Sequence, residues 1–223
     1  MSELMRIAAP LGLGIAGWLV ASGIPAHAQQ FAADLVYSNT GGTPRTTGKL
    51  NVANGKVRIE TPDLPTGFFI VRGDVNAANF VRPAQRTFME AKQSSQLTQL
   101  LVPVDPDAPC RQWQAMAQIA GAAEDGAEWR CERIGRDTVD GRNTIKYRGI
   151  SPRSRHYIGW IDQRLNFLVR LQAEDDTTVD LVNIQERPQP ESLFEIPADY
   201  QKFDPQQLID RIKQSDVWVE PTQ

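Results

Sequence analysis

Histidine and cysteine are the scarcest reactive residues of this chain, two of each among 223. One histidine, His27, falls in an apolar leader, so His156 stands alone in the rest. A Cys/His zinc site would therefore lack ligands, and a histidine-based catalytic apparatus would have one imidazole to work with. The sequence holds no G-x-S-x-G elbow, no phosphate-binding glycine loop and no H-E-x-x-H. With no nucleophile–base pair in view, we read the chain as a non-enzyme with no cofactor and no metal. Positive charge is not in excess either: the formal net charge is −3, which gives no bulk field for nucleic acid. Beyond the leader no apolar run is long enough to span a bilayer, a task for about 20 residues, so a transmembrane protein is not expected.

The leader itself is well marked. Arg6 gives a positive start, and an apolar run extends from Ile7 to Val20. Pro25 breaks the helix, and Ala26-His27-Ala28 has the small-x-small pattern that a signal peptidase cuts. The alternative is a membrane anchor, for which the run is short. Residues 1–28 are thus expected to be a cleaved signal peptide, and 29–223 one domain released into an oxidising compartment, the periplasm. In such a compartment the pair Cys110 and Cys131 reads as a disulfide.

Most of the remaining chain alternates apolar and polar residues with period two, the mark of half-buried strands. Leu50 and Val52 lead to a tight turn at Asn54-Gly55, then Val57 and Ile59. Phe69 and Val71 form another strand, and Asn79–Val81 and Thr87–Ala91 two more. A helical island interrupts them. Ser94 or Ser95 can cap a short helix bearing Leu97, Leu100 and Leu101, stopped before Pro103. Asp107 can cap a second helix that begins near Pro109, with Trp113, Met116, Ala117 and Ala120 at helical spacing. Strands resume at Glu128–Ile134, turn at Asp140-Gly141, and continue through Ile145 and Tyr147, Tyr157–Ile161, Phe167–Ala173 and Thr178–Gln185. Asp204 and Pro205 open a last helix with Leu208, Ile209 and Ile212 on one face. About ten strands in sequence-local order, with two helices inserted near the middle and one at the end, predict an α+β fold, an antiparallel sheet with helices segregated to one side.

Charged clusters are few. Arg148, Arg153, Arg155 and His156 form a basic group that can dock an acidic partner or a lipid headgroup, or serve as a solvated turn. Glu174-Asp175-Asp176 reads as a hairpin tip, and Asp105 and Asp107 as turn and capping residues of a proline-rich loop.

Several short motifs add a resemblance. Gly159-Trp160-Ile161-Asp162 through Val169-Arg170, followed by Leu193-Phe194-Glu195-Ile196-Pro197-Ala198-Asp199-Tyr200, resembles the C-terminal half of LolA-like proteins. Gly48-Lys49-Leu50-x-Val52 is similar to their early G-x-L-x-V strand, and Ile70 to Pro83 to their strand-turn-strand stretch. The resemblance runs from about Phe31 to Asp204. It implies a curved antiparallel sheet, an incomplete β-barrel, with helices covering the concave face and an apolar cavity for acyl chains. The carriers of that superfamily have a basic residue and a proline after the early strand; here the matching stretch is Ala53-Asn54-Gly55. The implied function is binding of a lipid, a lipoprotein acyl chain or another apolar ligand. Its cavity candidates are Leu50, Val52, Val57, Ile59, Phe69, Val71, Phe80, Leu97, Leu100 and Leu101. The alternative is an envelope sensor or scaffold module that binds another protein through the same fold.

Overall fold

The structure is a computed structural model and describes residues 29–39, 42–61, 66–91, 96–119 and 128–204. The leader and the expected C-terminal helix after Asp204 lie outside the described residues, as do the helix caps at Ser94 and Ser95. Strands β1 (Gln30–Ser38), β2 (Arg45–Ala53), β3 (Lys56–Glu60), β4 (Phe68–Arg72), β5 (Ala77–Arg82) and β6 (Thr87–Glu90) form the first half. Helices α1 (Gln96–Leu100) and α2 (Pro109–Ile119) follow. Strands β7 (Arg130–Val139), β8 (Arg142–Ile150), β9 (His156–Asp162), β10 (Phe167–Ala173) and β11 (Thr178–Glu186) form the second half, and a two-residue strand, β12 (Gln201–Lys202), comes last. All belong to one sheet, in the order β12-β6-β5-β4-β3-β2-β1-β11-β10-β9-β8-β7. The sheet is curved and does not close, as expected of an incomplete barrel.

Strands paired in the sheet are consecutive in sequence, with two exceptions. Strand β1 pairs with β11, Leu35 facing Leu181 and Tyr37 facing Val179. That pairing joins the two halves across the helical island. The other exception is the short β12 beside β6, which is also the parallel pairing of an otherwise antiparallel sheet. The hairpins at Asn54-Gly55 and Asp140-Gly141 have φ of 51° and 78°, and 48° and 76°. Both central residues are left-handed, as a type I′ turn needs, which is why Asn-Gly and Asp-Gly stand there. At Gly48 the backbone of Glu60 comes so close that an added Cβ would lie 1.9 Å from its carbonyl oxygen. The glycine of the G-x-L-x-V motif thus permits a backbone approach that no side chain would tolerate.

The W-I-D motif is likewise structural. Ile161 is fully buried in the core. The Asp162 carboxylate accepts the amides of Arg164 at 2.7 Å and Leu165 at 3.0 Å, closing the β9–β10 turn, and pairs with Arg142. The Trp160 indole N–H donates to Asp137 at 2.8 Å, tying β9 across β8 to the edge strand β7. That bond, ahead of the Thr138 amide, holds the Asp137 carboxyl below the usual carboxylate range. A depressed folded-state pKa contributes stability above the unfolded value and loses it as pH falls through the folded value. Trp160→Phe should therefore raise the Asp137 pKa, read by carboxyl-carbon NMR titration. An unchanged titration would show that the indole bond is not formed in solution.

The concave face carries the main core. Phe31, Leu35, Leu50, Val52, Val57, Ile59, Ile145, Ile161 and Phe167 belong to it, each at no more than 1% exposure. The convex face of the first half is covered as well. After β11 the chain crosses it as a strap: Asn51 donates to Gln189 at 2.9 Å, and Arg58 to the Leu193 carbonyl at 3.2 Å. A 3₁₀ turn (Glu191–Phe194) buries Phe194, and Ile70 and Val81 are buried outside the main cluster. The L-F-x-x-P-x-x-Y exit is this strap, which ends by adding β12 to the β6 edge. The other edge, β7, carries Arg130, Glu132, Arg133 and Arg136 and a register shift between Arg133 and Gly135, features that discourage edge-to-edge pairing.

Candidate functional site: the concave face and its mouth

The concave face divides into a covered part and an open part. Under the helices lie the residues the sequence singles out. Leu50, Val52, Val57, Ile59 and Val71 are at 0% exposure, Leu100 at 1%, Leu101 at 3% and Phe69 at 6%. Phe80 packs on the same cluster, its ring 5.0 Å from that of Phe69. Leu97 lies on α1, but its side chain is outside the described residues. One cluster thus contains eight of the ten candidates, with Phe80 packed against it. These side chains are buried as the side chains of a protein core are.

The cover is fastened to both halves of the sheet. On one side, Gln112 of α2 donates to the Gly73 carbonyl at 3.2 Å and to Asn76 Oδ1 at 3.0 Å, in the β4–β5 turn. On the other, the Val104 amide donates to the Asn166 carbonyl at 2.9 Å, and the Tyr147 hydroxyl to the Pro106 carbonyl at 2.8 Å. Cys110 at the start of α2 is bonded to Cys131 of β7, with Cα atoms 5.8 Å apart. Trp113 donates to the Leu100 carbonyl at 3.3 Å, joining α2 to α1. The loop before α2 is turned by Asp105, whose carboxylate accepts the Asp107 amide at 3.0 Å, the turn role expected in this loop. With these ties the cover acts as a brace across the half-barrel. Gln112 is the tie from α2 to the β4–β5 turn.

The open part lies at one end of the strands. Tyr37 is next to last in β1, Tyr157 second in β9, and Ala173 ends β10. Cross-strand register puts Tyr37 opposite Val179, Leu171 opposite Val179, and Ala173 opposite Tyr157. With period two, Tyr37 shares the face of Leu35 and Ala33. These residues therefore continue the apolar concave face outward. Tyr37, Tyr157 and Ala173 floor a cavity of about 530 Å³, lined also by Arg155 and His156 at one strand end and by Glu174 and Asp175 on the next turn. Behind Tyr157 runs an aromatic stack: its ring lies 5.8 Å from Trp129, and Trp129 lies 5.6 Å from Trp113 of α2. We call this cavity the mouth.

The mouth gathers two clusters that the sequence kept apart. Of the basic group, Arg155 and His156 line it, while Arg148 is paired with Glu132 at 2.7 Å. Of the acidic triplet, Glu174 and Asp175 line it. Asp175 accepts the Thr177 amide at 3.1 Å, and this bond holds its carboxyl below the usual range. Among the described residues no group of three or more His, Cys, Asp or Glu is placed to hold a metal ion, and no helix is long and apolar enough to cross a membrane.

No protein-family model matches the chain, and no curated protein does. Solved structures do. PNGF-II is similar over 84% of this chain and 33% of its own, at 12% identity and a TM-score of 0.51, so the chain spans about a third of that protein. An uncharacterised conserved protein from Thermus thermophilus is similar over 79% of this chain and 91% of its own, at 11% identity and a TM-score of 0.45. MucB, in the Pseudomonas aeruginosa MucA/MucB complex, is similar over 77% and 57%, at 11% identity and a TM-score of 0.40. At such identities a likeness is one of fold. The architecture present is an open curved sheet with helices over its concave face.

Proposed function

We propose that this chain is an exported binding protein of the cell envelope, which takes a lipid, a lipoprotein acyl chain or another apolar ligand through its mouth. The observation that carries the reading is the open cavity of about 530 Å³ whose floor continues the buried apolar face. Ligand sites are concave, largely apolar and furnished with a few polar groups, and they run from about 300 to 1,000 Å³. The brace supports the mouth as the route of access, because lifting the helices would break ties on both sides of the sheet. The leader and the disulfide favour the periplasm as the compartment.

The competing reading, an envelope module that binds another protein, draws on the closed state of the covered core. A direct test separates the two. Protein isolated from its own periplasm is extracted for lipid, and the purified chain is titrated with a fluorescent fatty-acyl probe. Ala173→Trp should fill the mouth. Excluding even two methylenes, at about 0.8 kcal/mol each, weakens binding roughly tenfold. Val52→Trp and Val71→Trp are poorer blocks, since overpacking there costs about 1–3 kcal/mol and would disturb the fold first. If the wild-type chain carries no lipid and binds no acyl probe, the apolar-ligand reading fails and the protein-binding module takes its place.

A further inference from the structure

The mouth has a floor of one character and a rim of another, and the rim is of mixed sign. Arg155 and His156 stand two and one positions before Tyr157, and Glu174 and Asp175 one and two after Ala173. Tyr157 and Ala173 face one another across β9 and β10. The basic pair and the acidic pair line the same cavity opening. All four residues are exposed, and among the described residues no ion pair joins the two sides. Opposite charges that meet at a strand end without pairing leave both sets of hydrogen-bonding atoms to a third party.

We infer that the mouth is a headgroup site for a zwitterionic amphiphile, one carrying an anionic group and an ammonium on an apolar tail. This deepens the function proposed above and rests on it. Arg155, a planar donor that cannot lose its proton, takes the anion, as guanidinium does for phosphate. Glu174 and Asp175, acceptors only, take the ammonium. Asp175 stays ionised for this purpose through its bond from the Thr177 amide. The tail lies on Tyr37, Tyr157 and Ala173. A purely anionic headgroup would face two carboxylates, and a purely cationic one would face Arg155, so the rim of mixed sign selects against both.

Calorimetric titration of the full exported chain with short-chain phosphatidylethanolamine, short-chain phosphatidylglycerol, a fatty acid and free phosphoethanolamine tests this. The phosphatidylethanolamine should bind about tenfold more tightly than the phosphatidylglycerol, the scale of one charge-assisted hydrogen bond that the first lipid makes and the second cannot. The double variant Glu174→Lys with Asp175→Asn makes the rim cationic while keeping an acceptor for the Thr177 amide, and it should reverse the order. Circular dichroism and melting of the variant confirm that the fold is intact. Equal binding of both lipids and the fatty acid would overturn the headgroup site and leave the apolar-ligand reading standing. Failure of every amphiphile would overturn both. Binding of free phosphoethanolamine as tight as that of the lipid would overturn the amphiphile assignment in favour of a small free zwitterion.

Discussion

Phe31→Ala should lower the unfolding free energy by about 3–5 kcal/mol and the melting temperature by roughly 10 °C. Phe31 is at 0% exposure and meets the ring of Phe167 edge to face, with centroids 5.3 Å apart. It stands on β1 opposite Val52 of β2 and Glu186 of β11, where the two halves of the sheet are joined. Truncation removes a ring from a region that cannot collapse around the void, because strands hydrogen-bonded on both sides hold the walls in place. Domain stabilities of about 5–15 kcal/mol make such a loss a large share of the total. Chemical denaturation of the variant and the parent gives the number. A loss under about 1 kcal/mol, far below what a large aromatic ring costs when it is cut from a packed core, would mean that β1 does not close the sheet in solution.

Removing the bond between Cys110 and Cys131, by changing both to Ala, should cost about 3 kcal/mol. The sequence separation is 21, and the bond restricts the unfolded chain over that loop. For a chain of this size such a loss lowers the melting temperature by about 6–12 °C. The parent protein melted with reductant should fall to the same temperature, and the double variant should ignore reductant. In the folded state the loss is local: α2 keeps its tie through Gln112 but no longer has the anchor to β7. Amide hydrogen exchange should therefore quicken in α2 before it does in β1 or β2. Equal melting with and without reductant would show that the disulfide is absent or adds nothing.

Much of the fold was legible because side-chain periodicity is a local signal. Leu50/Val52, Val57/Ile59 and Phe69/Val71 alternate with polar residues and occupy β2, β3 and β4 as expected. Asn54-Gly55 and Asp140-Gly141 turn where the left-handed backbone requires them. The helical island was evident from Trp113, Met116 and Ala117, all buried against the sheet. Strand β1 was not marked out. Its run Phe31-Ala32-Ala33-Asp34-Leu35-Val36-Tyr37 puts apolar residues on both faces, so period two is blurred. Strand β12 has two residues and a parallel partner, and no local pattern announces it.

The amino-acid sequence by itself determined the strand-forming stretches, the hairpin turns, the grouping of the helices and the pairing partner of each cysteine, because each follows from spacing or count along the chain. Tertiary structure alone decided which apolar residues are sealed and which form a mouth. Leu50 and Tyr37 both lie on the concave face, yet one is under the brace and the other beyond it. That difference depends on where Gln112, Val104 and Cys110 fasten the cover, and on the pairing of β1 with β11 from the far end of the chain. The charged rim arose in the same way: Arg155-His156 and Glu174-Asp175 are separate turns in sequence, brought to one cavity opening by the pairing of β9 with β10. Local periodicity specifies a face; only the closure of contacts distant along the chain specifies what that face meets.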